Sequence, residues 1–377
     1  MRAIINAKII TDKEVLVGYN LLFSEKIIKI TKELPIWARI IDAKGLYLSA
    51  GFIDIHIHGS NGFDVMDGSF EALEGISNSI LQTGTTSFLA TTMTMSEEDI
   101  AKALSNIQKY KLSVTGAKVL GTHLEGPFIN LAKKGAQNGS YVQKPNLKLI
   151  EPFIESINMI TLAPEVEEAK EFIFHLQKYY PHVLLSIGHS DASYEKTKES
   201  FTWGVSHATH LFNAMNPLHH REPSVVGAVL ENEKISCDII ADLIHIHPSF
   251  FNLLYKLKKE QLVLVTDAMR AGCLCGGVSE VGGQKVIVKD GEARLEDGTL
   301  AGSVLKLNEA LRNFAKYSDI LLVELIATVT TTPAKKLGLK MGLLADGYPV
   351  DLVLFDADFN VFSVYVDGIE KFTVFRD

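Results

Sequence analysis

The sequence predicts an α/β chain: a (β/α)8 TIM-like barrel with a small β-sandwich domain formed from both termini. Three observations predict it. Eight apolar, β-rich runs alternate with helix-periodic segments through the middle of the chain. Short strand-like segments, none helix-periodic for long, fill both ends. Histidines and carboxylates recur at the same end of one apolar run after another.

The amino-terminal segments are AIINAKII, EVLVGYNLLFS and KIIKI; the carboxyl-terminal ones are DLVLFD, VFSVYVDG and EKFTVFRD. None can bury a face alone. Residues 1–50 and 338–377 are therefore expected to pair into one small domain beside a barrel of residues 51–337. The eight runs are LYLSAGFIDIHIH, TTSFLATT, KVLGTHLEG, MITLAPE, HVLLSIGHS, VSHATHLFNA, ISCDIIADLIHI and LVLVTDAM. Between them lie segments such as FEALEGISNSILQTG, EEDIAKALSNIQKY and SFFNLLYKLKKE, with apolar residues three and four apart. Continuous apolar strands separated by helices argue for a parallel sheet covered on both faces. Such units over roughly 290 residues suit a barrel of about 250 residues plus insertions. One insertion, GGQKVIVKDGEARLEDGTLAGS, contains two Asp-Gly pairs that suggest hairpin turns.

Composition narrows the function classes. Hydrophobic residues at 47% and charged residues at 22% fit a soluble globular protein. A net charge of −8 without a basic stripe argues against a nucleic-acid partner. No apolar run reaches the ~18 residues of a membrane span, and the start, MRAIINAKIITDKE, does not read as a signal peptide. Cys237, Cys273 and Cys275 are sparse and odd in number, which points to unpaired thiols and a cytoplasmic setting.

Chemistry enters at the run ends, because barrel active sites lie at the carboxyl ends of the strands. The first run ends in His56 and His58, which share one face of a strand. Alone, that pair admits two readings: hydrogen-bonded core histidines, or neutral nitrogens converging on a metal. The other run ends favour the metal. They carry His123 and Glu125, then His189, then His207 and His210, then Asp242 and His245, then Asp267. A closed barrel brings these ends together. His123 and His207 sit beside stronger candidates and are read as hydrogen-bonding neighbours. The acidic run EVEEAKE (165–171) is read as a solvated helix face.

The motifs GFIDIHIHG, GTHLEGPF, IGHSDAS, ATHLFNAMNPLHHREPSVVGAVL, LVTDAM and LAGSVLKLNEALRNF run along nearly the whole chain. Together they resemble the N-acetylglucosamine-6-phosphate deacetylases of the amidohydrolase superfamily. The resemblance implies a metal held by Glu125, His189 and His210. A second can be held by His56 and His58, with Glu125 bridging and Asp267 close by. One or two divalent ions per subunit are thus expected; nitrogen and oxygen ligands suit zinc, iron, manganese or cobalt. The resemblance also implies that Arg221 and His245 hold a sugar phosphate, helped by the Asn213–Ala214 backbone, and that Gln137 contacts sugar hydroxyls. Arg221 is expected to come from the neighbouring subunit, making the working unit a homodimer with shared active sites. Two departures stand out: Gln137 where the family often has His, and Leu243 where it commonly has Gly.

The chemistry agrees with the residue types. Amide hydrolysis needs a strong nucleophile and a protonated leaving amine. Asp267, at the eighth run's end, is placed to take a proton from water and deliver it to the departing nitrogen. Arg221 suits phosphate because guanidinium matches it bidentately. Two rivals remain: another amidohydrolase that bridges its metals with a carboxylated lysine, and a non-catalytic scaffold. Glu125 stands at the bridging position and every expected ligand is present, which disfavours both.

Overall fold

The computed structural model describes residues 1–375; the last two residues of the predicted closing segment EKFTVFRD lie outside the described residues. The barrel strands are β1 (Phe52–Ile57), β2 (Thr85–Thr91), β3 (Lys118–Glu125), β4 (Ile157–Leu162), β5 (Leu184–Ile187), β6 (His207–Ala208), β7 (Ser236–Ile240) and β8 (Leu262–Val265). They form one eight-stranded sheet in sequence order, each neighbouring pair parallel. β8 closes on β1 just past its end: Asp267 N–H donates to His56 O at 2.8 Å, and His58 N–H to Ala268 O at 2.9 Å. β1, β2, β5, β7 and β8 are buried along their whole length, which is why they lack the in-and-out polar alternation of a half-exposed strand.

The intervening helices include α1 (Phe70–Ser79) and α2 (Glu97–Tyr110). Ser69 and Ser96 cap them by accepting from the Ala72 and Asp99 N–H groups. Each turns an apolar face, such as Leu73 and Ile76 or Ile100 and Leu104, onto the barrel core.

Two runs differ from expectation. LYLSAGFIDIHIH is two strands, not one. Tyr47–Ala50 belongs to the small domain, and β1 starts only at Phe52. Gly51 marks the break: a Cβ there would lie 2.0 Å from Thr86 Oγ1, so the crossing demands glycine. The sixth run is extended for only two residues, and His210 lies beyond it in a turn.

Both termini build the small domain as two facing sheets. Leu352–Phe355 pairs antiparallel with Tyr47–Ala50, joining the two ends of the chain in one sheet. Ile4, Ile9, Leu21, Phe23, Leu48, Leu352 and Leu354 fill the space between the sheets. The insertion after β8 is a three-stranded antiparallel sheet, Gly277–Val281, Gln284–Lys289 and Glu292–Leu295. Asp290 and Gly291 turn between its last two strands with φ of 52° and 84°, the left-handed pair that an Asp-Gly hairpin turn requires. Val281, Val286 and Ala293 pack with Met93 and Met269, which seats this sheet over the barrel mouth. Among the described residues, no helix is long and apolar enough to cross a membrane.

Candidate metal centre and its cavity

Six of the singled-out side chains meet inside the barrel mouth. β1 aims His56 and His58 inward, with their Nε2 atoms 3.3 Å apart. Glu125, the last residue of β3, lies between two groups of histidines. Its Oε1 is 3.3 Å from His189 Nε2 and 3.1 Å from His210 Nε2; its Oε2 is 3.2 Å from His58 Nε2. Asp267 Oδ1 stands 3.4 Å from His56 and 3.3 Å from His58. Two triads, His56–His58–Glu125 and Glu125–His189–His210, have ligand atoms within 4.8 Å of one another. All six residues are buried.

The donor set fits divalent metal. In each triad two imidazole nitrogens face each other at 3.1–3.3 Å with a carboxylate oxygen beside them. A cation satisfies that convergence of lone pairs, and imidazole with carboxylate is ligand chemistry for first-row divalent ions. His189 Nδ1 donates to Lys133 O at 2.8 Å, which leaves Nε2 as its lone-pair nitrogen. His56, His58 and His210 have Nδ1 atoms that are buried without a partner among the described residues.

Charge tells the same story. Burial opposes a proton on His56, but Asp267 and Glu125 outweigh it and lift its pKa to about 9. His58 is likewise disfavoured by burial and lifted by the same two carboxylates, to about 10. Glu125 is held well below the usual carboxylate range by His56, His189 and His210 despite its burial. Asp267 is lowered too, its burial overcome by His56 and His58. Two carboxylates in a dry pocket require positive charge, and either protons or a cation can supply it.

Backbone strain concentrates here. His189, His210 and Asp267 have φ of 49°, 33° and 48°. A residue in this left-handed region costs on the order of 1–3 kcal/mol. Neighbours hold each in place. Asn130 N–H donates to His189 O at 2.9 Å. Asp238, fully buried, accepts the His210 N–H at 2.5 Å and a bond from His207 Nε2 at 2.9 Å. His207 is thus a supporting neighbour, as read from its position. So is His123, whose Nε2 meets Thr161 Oγ1 at 2.7 Å and which burial keeps neutral. One residue of the acidic run departs from the reading: Glu167, Glu168 and Glu171 are exposed, but Glu165 precedes the helix Ala169–Tyr179 and ties loops behind His189. It accepts from Asn130 Nδ2, Ser190 Oγ and Asp191 N at 2.9, 2.8 and 2.7 Å.

The centre forms the floor of a cavity of about 360 Å³ that Gln137, Asn213, Ala214 and His245 also line. His245 is steadied by Asp242, whose carboxylate takes its Nδ1 at 2.6 Å and its backbone N–H at 2.9 Å. Asn213 N–H is already donated to His210 O at 2.9 Å; Ala214 N–H has no backbone acceptor among the described residues. Gln137 has both ends of its amide engaged, by Thr94 N–H and Glu125 Oε2. Arg221 is not brought in: it is exposed, and its Nη1 meets His220 Nε2 at 2.8 Å. Leu243 adopts φ of 70°, a conformation natural to glycine.

Sequence reading missed the cavity's roof. Val281, Arg294, Thr299 and Leu300 come from the insertion, and Met93 from the loop just past β2. Arg294 is held by Glu292 at 2.6 Å and by the Gly298 carbonyl at 2.7 Å. The Asp-Gly pairs announced a hairpin, but nothing in their spacing said that it folds back over the site.

Barrel, terminal sandwich and a histidine–carboxylate centre at the strand ends define a class of metal-dependent hydrolases. A model of the amidohydrolase family matches residues 47–370, and the chain belongs to that family. Its relatives narrow the class. It is 39% identical to N-acetylglucosamine-6-phosphate deacetylase of Bacillus subtilis (strain 168), over 96% of this chain and 94% of that one. It is 32% identical to N-acetylgalactosamine-6-phosphate deacetylase of Escherichia coli O157:H7, over 96% of this chain and 97% of that one. The crystal structure of N-acetylglucosamine-6-phosphate deacetylase from Pasteurella multocida superposes with a TM-score of 0.92 at 33% identity, covering 97% of this chain and 98% of that one. The resemblance read from the motifs therefore holds along the chain.

Proposed function

We propose that this chain is a metal-dependent hydrolase that removes the acetyl group from N-acetyl-D-glucosamine 6-phosphate. The products are D-glucosamine 6-phosphate and acetate, and the setting is amino-sugar catabolism and cell-wall recycling in the cytoplasm. One observation carries the reading: two ligand triads share Glu125 on a cavity floor, with Asp267 against both histidines of one triad. The higher identity to the Bacillus relative favours the gluco over the galacto epimer. The division into 1–50 with 338–377, and 51–337, belongs to the same reading.

A divalent cation held by Glu125, His189 and His210, or also by His56 and His58, would lower the pKa of a water from 15.7 to about 7 and polarise the acetyl carbonyl. The chain's own groups do the rest. Asp267, ionised, takes the proton of the attacking water as oxygen bonds to the acetyl carbon. It returns that proton to the sugar nitrogen as the C–N bond breaks, so the amine leaves neutral with acetic acid, which gives its remaining proton to the amine or to solvent and becomes acetate. His245, steadied by Asp242, and the Ala214 N–H offer donors for the sugar phosphate.

We read the working unit as a homodimer in which Arg221 reaches the partner's cavity. Two features support this: Arg221 is exposed and away from its own cavity, and Leu218, Leu243, Phe250 and Leu253 are exposed apolar residues in the same stretches of chain. The test of the function is acetate release from N-acetylglucosamine 6-phosphate and from its galacto epimer, with and without chelator. Chelator-sensitive release, faster for the gluco epimer, is expected. Metal-replete protein that releases no acetate from either would overturn the proposal.

A further inference from the structure

Gln137 lines the cavity, yet its amide is committed elsewhere. Its Oε1 accepts the Thr94 backbone N–H at 2.6 Å, and its Nε2 donates to Glu125 Oε2 at 2.9 Å. The residue is 3% exposed. Chemistry fixes the orientation. A backbone N–H only donates and a carboxylate only accepts, so flipping the amide loses both bonds. The loop is itself pinned, because Gln284 Nε2 donates to Ala136 O at 2.6 Å and Gln137 N–H to Lys134 O at 2.9 Å.

The oxygen that Gln137 holds is the one facing His58, at 3.2 Å. The other faces His189 and His210, at 3.3 and 3.1 Å, and lies 3.4 Å from His56. Rotation of the carboxylate about its last bond would take an oxygen out of each triad, and the Gln137 bond resists that rotation. We infer that Gln137 is a positioning residue for cation uptake. By fixing the shared carboxylate it sets the centre's affinity for divalent metal, rather than serving as a contact to sugar hydroxyls. The inference rests on the metal-dependent reading above.

The test titrates metal-stripped protein with Zn²⁺ or Co²⁺ against a chelating dye, for wild type, Gln137→Met and Gln137→Asn. Met keeps the length and deletes both polar ends. Asn keeps the amide but is one methylene short, so it spans only one partner. Loss of a group that orients a metal ligand typically weakens metal binding roughly 10–100-fold, and both variants are expected to show that loss. At saturating metal their KM for the sugar phosphate should stay at the wild-type value. If Gln137→Met fails to fold, Gln137→Asn decides. An unchanged cation Kd with a raised KM would return Gln137 to the sugar and overturn the inference. Wild type that takes up no cation would overturn both the inference and the metal-dependent reading; wild type and variants that bind it equally would overturn the inference alone.

Discussion

Replacing Asp267 with Asn isolates proton transfer from folding. The residue sits at φ of 48°, a region that asparagine, like aspartate, visits more readily than most residues with a side chain. Its backbone bonds, N–H to His56 O at 2.8 Å and the Ser303 N–H to its own O at 2.7 Å, do not involve the carboxylate. The variant should therefore fold. What it loses is a carboxylate oxygen 3.4 and 3.3 Å from His56 and His58. A positioned acid–base group contributes about 10²–10⁴-fold, or ~2.7–5.4 kcal/mol of barrier at 1.36 kcal/mol per decade. kcat for acetate release should fall by that factor while KM holds, with metal content measured on the same sample. Because Asp267 is held below its ordinary 3.8, it stays charged from pH 5 to 8 and adds no acid limb there. A variant with wild-type kcat across the pH profile would show that another group moves the proton. A loss matched by missing metal would recast Asp267 as a ligand.

Four further outcomes are expected. Arg221→Ala should weaken binding of the phosphorylated sugar roughly 10–100-fold, from a charge-assisted bond worth about 1.5–3 kcal/mol. Mixing Arg221→Ala with Asp267→Asn subunits should regain activity, and inactive hybrids would refute the shared site. Metal-stripped protein should lose thermal stability as pH rises through about 9 to 10, where His56 and His58 give up the protons that pair Glu125 and Asp267. Their folded pKa values lie above the ordinary 6.5, so that stabilisation is fully present below 6.5 and gone above 10. Scanning fluorimetry at pH 7 and 10, with and without metal, checks it; an equal pH effect in both forms would contradict the assignment. Leu243→Gly should leave the protein as stable or slightly more so, since relief of about 1–2 kcal/mol of left-handed strain exceeds the ~0.5–1 kcal/mol entropic cost of glycine. A clear drop in Tm would show that the Leu243 side chain packs usefully.

What could be read from residue order is what local physics determines. A strand covered on both faces must be a continuous apolar run, so β1 to β8 were visible, and so were the polar residues at their ends. His56 and His58 share a face by strand geometry alone, and the barrel's closure made one centre of side chains far apart in sequence. The misreadings lie where a distant atom decides. Gly51 looks like the middle of a run until the Thr86 side chain crosses it at the distance of a missing Cβ. Glu165 looks like part of a charged helix until the loops behind His189 close on it.

The same distinction explains why the centre's strain left no trace in the motifs. Gly188-His189-Ser190, Thr209-His210-Leu211 and Thr266-Asp267-Ala268 carry no local signal for a left-handed central residue. The conformation is imposed from outside: by Asn130 on His189, by Asp238 on His210, and by β1 on Asp267. Each strained residue lies two positions past the end of a strand, where the chain must leave the barrel and still point a side chain inward. Left-handed backbone reverses the chain within one residue, which lets the imidazole or carboxylate face the axis while the next residues run outward. The strain is therefore local to the functional groups and is held by residues, Asp238 with His207 foremost, that never touch the cavity. Those supporting residues are as much a part of the centre's geometry as the side chains they aim.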